Sequence, residues 1–131
     1  IVGSDGMADA KLAQIAGKSN ATNVYYTTPF STKASATNKV ASKFMSAYKA
    51  KYGSTAPTFS ALAYDSVYMI KAAIEKEGSA NSVKIADGLA KLKNFKGVTG
   101  TTTIDKQHNP EKTISIEQLT NGVVSKVYNV K

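Results

Sequence analysis

The chain opens with the stretch Ile1-Val2-Gly3-Ser4-Asp5-Gly6-Met7, and this stretch decides how the rest is interpreted. A β-branched start runs into a turn of small residues that carries one carboxylate, and a helical pattern follows at once. Open α/β sheets gather their ligands at such strand-to-helix junctions. The Asp5 carboxylate is therefore a candidate for holding a ligand cation such as an α-ammonium group. Asp is also a favoured helix cap, and the local pattern leaves both interpretations open.

The spacing of apolar residues predicts the elements of the first half of the chain. Leu12, Ile15 and Ala16 lie at the spacing of one buried helix face, and β-forming residues cluster ahead of Pro29. We therefore predict a strand ending at 2–3, a helix over 9–16, a strand over 23–28 and a helix over 36–52.

A small, turn-rich linker at 54–57 is the best candidate for a boundary. After it, the sequence predicts helices over 58–77 and from 81 or 82 to 92, a strand over 100–104, a polar turn over 105–110 and a strand over 113–119. Asn121-Gly122 is a strong hairpin signal, and a last strand over 123–130 returns beside it. The order β-α-β-α, two helices, then a strand and a β-hairpin indicates an α/β protein with an antiparallel end.

The net charge of +8 comes from lysines that are scattered along the chain. A basic chain can bind nucleic acid, but base readout and bidentate phosphate binding favour arginine, which is absent. A nucleic-acid-binding domain is thus the less favoured hypothesis, and we expect lysines solvated on helix faces.

The residue constellations of enzymes and metal sites are missing from the sequence. Cysteine is absent, and His108, the single histidine, lies in a polar turn. No serine stands in a Gly-x-Ser-x-Gly elbow, and the spacing around Asp105 does not match an EF-hand. We therefore expect no enzyme, and we predict no metal ligand and no cofactor.

Phe59 stands at the start of the longest predicted helix, directly after the linker. An aromatic residue at a helix start commonly packs into the core as a staple. The alternative is that it faces a ligand beside the linker, and the pattern alone does not exclude this.

Taken in order, several segments resemble the C-terminal portion of the branched-chain amino acid binding proteins. These are substrate-binding components of ABC importers, with the type I periplasmic-binding fold. The resemblance rests on Gly3-Ser4-Asp5-Gly6, Ile15-Ala16-Gly17, Asn23-Val24-Tyr25-Tyr26-Thr27-Thr28-Pro29, Phe44 with Tyr48 and Tyr52-Gly53, Ala63-Tyr64-Asp65-Ser66-Val67, Phe95-Lys96-Gly97-Val98-Thr99-Gly100 and Asn121-Gly122.

The resemblance implies that this chain is a fragment of a longer, two-lobed protein. Residues 1–53 would belong to the second lobe, 54–112 would form a hinge and a helical segment of the first lobe, and 113–131 would return to the second lobe as a hairpin. The family binds its ligand in the cleft between the lobes.

The resemblance also implies where a ligand binds. The acid of the Gly-x-acid-Gly turn, here Asp5, would hold the ligand's α-ammonium, together with Ser4, Gly6 and Met7 of the same turn. Phe59 would line the side-chain pocket. The groups that hold the ligand's carboxylate belong to a part of the family's fold that lies outside this chain, so we expect at most half of a site.

The implied function is the extracytoplasmic solute-binding component of an ABC importer for a branched-chain or other apolar amino acid. Its partners would be the amino acid and the permease subunits, with membrane contact only through the permease or an anchor, as in a lipoprotein. A ligand-sensing domain of the same fold in a receptor or regulator stays an alternative.

A fragment of this kind leaves apolar faces without their usual partners. Phe59, Val67 and Ile70 are the residues at which we expect this, and a second copy of the chain could cover them in a dimer.

Overall fold

The computed structural model describes residues 1–130, and of Ala34 the backbone alone. Its elements, in chain order, are β1 (Val2–Gly3), α1 (Lys11–Ala16), β2 (Val24–Thr28), α2 (Lys39–Tyr52), α3 (Thr58–Glu77), α4 (Ser82–Ala90), β3 (Phe95–Gly97), β4 (Gly100–Ile104), β5 (Pro110–Glu111), β6 (Ile114–Thr120) and β7 (Val123–Val130). Short 3-10 helices lie at Asp5–Met7 and Ala34–Thr37. The predicted α/β class is confirmed.

The strands form two sheets. The larger has the order β1-β2-β6-β7: β1 runs parallel to β2, and the other neighbours are antiparallel. The smaller is an antiparallel sheet of β3, β4 and β5. Sequence reasoning misses β3, and it assigns Pro110 of β5 to a polar turn. Both strands are very short, and they are recognisable as strands through their pairing with β4.

The longer helices begin and end where their capping residues stand. The Asn38 side chain accepts hydrogen bonds from the first amides of α2, and Asn81 does the same for α4. Gly53 and Gly78 follow α2 and α3 in the left-handed conformation that ends a helix.

The hairpin between β6 and β7 forms where it is predicted. Thr120 pairs with Val123, and the turn residues Asn121 and Gly122 have φ angles of 50° and 75°. Two positive φ angles in succession are the signature of a type I′ turn, whose twist matches that of the flanking strands.

The predicted buried face of α1 is wrong for two of its three residues. Ile15 is 85% exposed and Ala16 is exposed as well. The helix starts only at Lys11, and it packs through Leu12 and Ala13 instead. Periodicity alone cannot fix the buried side of so short a helix, because the cluster beneath it decides which residues are covered.

The core has two clusters. One lies under α1 and contains Ala21, Val24, Tyr26 and Leu119. The other joins α2 to the start of α3 through Phe30, Ala41, Phe44, Ala56, Ala61 and Val98. The second cluster extends across residue 53, where the resemblance puts a lobe boundary, so the division into 1–53, 54–112 and 113–131 stays a prediction. Within residues 1–130, no helix has the length and apolar character needed to cross a bilayer.

Candidate ligand-binding turn

The turn that follows β1 is built by a close approach between Gly3 and Met7. A Cβ atom on Gly3 would lie 1.8 Å from the Met7 sulfur, so any larger residue would require the Met7 side chain to move. Met7 in turn is packed against the cluster under α1. The 3-10 turn is closed by the Met7 amide, which donates to the Ser4 carbonyl at 3.1 Å. These contacts place Ser4, Asp5 and Gly6 on the exposed side of the turn.

The Asp5 side chain is not a helix cap. Ser4 is the residue that precedes the 3-10 helix, and no side chain caps it. At α1 it is the Asp9 carboxylate that accepts a hydrogen bond, from the Lys11 amide at 2.8 Å. In the described part of the chain, nothing donates to the Asp5 carboxylate and no cation pairs with it. An exposed, unpaired carboxylate thus stands at the carboxyl end of a parallel strand, where α/β sheets bind ligands.

Phe59 is 60% exposed, so the interpretation of a core staple is wrong. Its neighbour Thr58 is the buried residue of the first turn of α3. The Thr58 hydroxyl lies 3.2 Å from the Thr28 hydroxyl and 3.4 Å from the Phe30 carbonyl, which ties the helix start to the end of β2. Phe59, about 100° further round the helix, lies on its exposed side.

The structure therefore groups Ser4, Asp5, Gly6 and Met7 in one turn, and Phe59 lies at the start of α3. Two cavities lie elsewhere. One is a groove of about 1050 Å³ between α2 and α3, with aromatic walls that include Tyr48 and Tyr64. The other, of about 660 Å³, lies beside α1 and the linker. Neither is lined by Asp5 or Phe59.

Sequence reasoning misses a buried polar network around Asp65. This carboxylate is 5% exposed and accepts the Val98 amide at 2.7 Å, the Thr99 amide at 2.8 Å and the Thr99 hydroxyl at 2.6 Å. Lys112 donates to the same hydroxyl, and burial lowers the pKa of Lys112 while the charge of Asp65 opposes that shift. The network joins α3 to the residues between β3 and β4.

A spacing signal could have found Asp65. It follows Thr58 and Ala61 at helical intervals, and all three are buried. A carboxylate on the buried face of a helix must find donors inside the protein, because an unpaired buried charge is costly.

The Asp105 carboxylate, in the turn between β4 and β5, is hydrogen-bonded within that turn. Asp105 accepts the amides of Gln107 and Asn109, both at 2.8 Å. The hydrogen bond from the Asn109 backbone is the main reason that the pKa of Asp105 is lowered. Within residues 1–130, no three His, Cys, Asp or Glu side chains converge as a metal site would require.

Comparison with known proteins places this geometry in a family. The family model described as "Periplasmic binding protein" matches residues 1–123. A comparison with curated proteins gives no match. The chain is similar to the substrate-binding protein LivJ of a branched-chain amino acid transporter from Streptococcus pneumoniae, solved with isoleucine. The identity is 42% and the TM-score 0.89, over 99% of this chain and 36% of that one.

Two further solved structures agree. The leucine-binding protein LivK from Thermotoga maritima is 34% identical with a TM-score of 0.84, over 100% of this chain and 36% of that one. A branched-chain amino acid ABC transporter protein from Rhodospirillum rubrum, described as putative, is 27% identical with a TM-score of 0.73, over 94% and 35%. The chain thus spans 35–36% of the length of these relatives. Its fold is part of the type I periplasmic-binding fold, and the chain belongs to the periplasmic binding protein family.

Proposed function

We propose that this chain is the C-terminal portion of a solute-binding component of an ABC importer, and that the whole protein binds a branched-chain or other apolar amino acid. The relatives named above support this, since their descriptions refer to branched-chain amino acid transport or to leucine binding. We place the protein outside the cytoplasm, where a solute receptor meets its ligand. Its partners are then the amino acid and the permease subunits, and its membrane contact is the permease or a lipid anchor.

The observation that carries the proposal is the Asp5 carboxylate. It is exposed and unpaired within residues 1–130, at the end of a strand whose turn is fixed by the Gly3–Met7 contact. A carboxylate held in this way can accept charge-assisted hydrogen bonds from an α-ammonium group, which are stronger than neutral ones. Ser4 and Gly6 flank it, and Met7 packs against the core cluster under α1.

Phe59 supplies the apolar part of the proposed site. Its ring is exposed although a helix of mostly apolar residues follows it, and leaving such a ring in water is unfavourable. We assign it to the pocket for the ligand's side chain. Asp5 lies in the turn after β1 and Phe59 follows the linker at the start of α3, and we infer that closure of two lobes about the linker brings them to the same ligand.

The experiment is calorimetry with leucine and isoleucine, on the 131-residue chain and on the longer protein. We expect micromolar or tighter binding by the longer protein. The chain alone should bind weakly or not at all, because the groups for the ligand's carboxylate lie outside it. Micromolar binding by the chain alone would contradict the half-site, and no binding by the longer protein would contradict the proposed ligand class.

The exposed apolar face of α3 bears on the state of the fragment in solution. Phe59, Val67 and Ile70 are 60%, 65% and 41% exposed. We propose that a second copy of the chain covers this face. Light scattering should show a dimer that Val67→Lys converts to a monomer, and a strict monomer in the unsubstituted chain would contradict the proposal.

A further inference from the structure

Glu117 is a buried carboxylate that the proposed amino-acid site does not use. It is 6% exposed and faces Tyr26 across the β2–β6 pair. The Tyr26 hydroxyl donates to Glu117 Oε2 at 2.7 Å. Burial, and then the hydrogen bond and charge of Glu117, raise the pKa of Tyr26, so the phenol keeps its proton at neutral pH.

The second carboxylate oxygen of Glu117 has no partner within residues 1–130. No donor reaches Oε1, and no cation forms an ion pair with Glu117. Yet every fully buried side-chain oxygen of the described residues is hydrogen-bonded, so Oε1 must be open to a space. Glu117 lines the cavity of about 660 Å³ beside α1 and the linker.

The cavity suits a small molecule with a cationic head and an apolar body. Its volume lies within the range of ligand pockets, and Ala13, Phe30, Leu119 and Val124 supply apolar walls. The basic residue of the lining is Lys33, whose ammonium donates to the Ser125 carbonyl at 2.8 Å.

Glu117 has a single neutral donor among the described residues, and its Oε1 is not enclosed by protein. An ammonium group in the cavity would add a charge-assisted hydrogen bond to Oε1, which is stronger than a neutral one. Glu117 is the buried carboxylate of the lining, and it would hold an ammonium group while the apolar walls take an alkyl group.

We propose that this cavity is a second ligand site, which binds a small aliphatic primary ammonium ion through Glu117 Oε1 with its alkyl group against Leu119 and Val124. The site uses Glu117 rather than Asp5: neither Asp5 nor Phe59 lines the cavity, although Ala8 and Thr58, close to them in sequence, do. It also adjoins the linker, through Thr55 and Thr58.

The test is a titration of the isotope-labelled 131-residue chain with isobutylammonium chloride, followed by amide chemical shifts. Isobutanol, which has the same shape without the charge, is the matched probe. We expect saturable shifts at Glu117, Leu119 and Thr58 with the amine only. Glu117→Gln keeps the side-chain size and an acceptor for Tyr26, and it should weaken amine binding about tenfold or more. Glu111→Gln, which removes an exposed charge outside the cavity, should leave it unchanged.

A measurement on the unsubstituted chain keeps the test decisive if Glu117→Gln does not fold. The carbon shift of the Glu117 carboxyl group should respond to isobutylammonium and not to isobutanol. No response, an equal response to the alcohol, or shifts confined to the turn at Asp5 would overturn the second site. None of these results depends on whether the longer protein binds leucine.

Discussion

Asp65 in α3 and Asp5 in the turn after β1 carry the same side chain in opposite surroundings. The Asp65 carboxylate is buried and accepts three hydrogen bonds from Val98 and Thr99. The Asp5 carboxylate is exposed and accepts none from the residues that the structure describes. A carboxylate whose acceptor capacity is satisfied inside the protein holds the fold together. One that is held in place but left unpaired is available to a ligand.

Glu117 lies between these two cases. It is buried like Asp65 but has a single donor, Tyr26. By the number of hydrogen bonds each accepts from the described residues, the order is Asp65, Glu117, Asp5. We expect the same order for their contributions to stability, and unfolding experiments can check it.

The largest loss of stability is expected from Asp65→Ala. The substitution strands the amides of Val98 and Thr99 in a buried place and leaves Lys112 without its nearby negative charge. We expect the free energy of unfolding to fall by about 3 kcal/mol or more, as measured by urea denaturation. Asp87→Ala, on the exposed face of α4, is the control. If Asp65→Ala and Asp87→Ala lower the free energy of unfolding by the same small amount, Asp65 does not stabilise the fold, and its contrast with Asp5 fails.

Tyr26→Phe should cost about 1–2 kcal/mol, because it removes the one donor to a buried carboxylate. Urea denaturation at neutral pH measures this. A change of less than a few tenths of a kcal/mol would show that Glu117 finds another donor. Glu117 would then resemble the exposed Asp5 more than the buried Asp65.

The same pair predicts a pH dependence. The pKa of Tyr26 is raised above its ordinary value of 10.0, so the unfolded chain releases this proton first. The stability that Tyr26 contributes is complete below 10.0 and is lost as the pH rises above it. The lowered pKa of Lys112 acts in the opposite direction, but both chains carry it and it cancels in the difference. The difference in free energy of unfolding between the wild-type chain and Tyr26→Phe should therefore shrink above pH 10.0. A difference that stays constant with pH would contradict this.

Asp5→Asn in the longer protein should weaken leucine binding by about 1.5 kcal/mol or more, roughly tenfold, because a charge-assisted contact is lost. Calorimetry measures the affinity, with Asp87→Asn as the control that removes one exposed charge elsewhere. An unchanged affinity would remove Asp5 from the site.

The smallest effect is expected from Asp5→Asn on the stability of the 131-residue chain. A side chain without a partner contributes little, and we expect a change within about 0.5 kcal/mol by urea denaturation. A larger loss would mean that Asp5 has a structural role after all.

Much of the element order could be predicted because it depends on local signals. The bounds of α3, β4 and β7 agree with the prediction, and the Asn121-Gly122 turn forms as expected. The buried face of α1 was mispredicted at Ile15, since a helix of six residues has too little periodicity to define a face.

For the candidate site, too, local signals could be predicted and contacts with distant residues could not. A junction of strand, small residues and one acid pointed to Asp5, but sequence could not separate a cap from an unpaired carboxylate. That distinction depends on whether any donor lies near it. For Phe59, exposure goes with the burial of its neighbour Thr58, whose partners Thr28 and Phe30 are remote in sequence.

The sequence by itself determined the α/β order, the hairpin turn and the placing of a carboxylate after β1, because each depends on residues a few positions apart. Only the tertiary structure decided which carboxylates are satisfied. Asp65 meets donors more than thirty residues away in Thr99, and Glu117 meets Tyr26 across a strand pair. The cost of burying charge depends on those distant partners, and that cost separates Asp65, which holds this fold, from Asp5, which we propose for the amino-acid ligand.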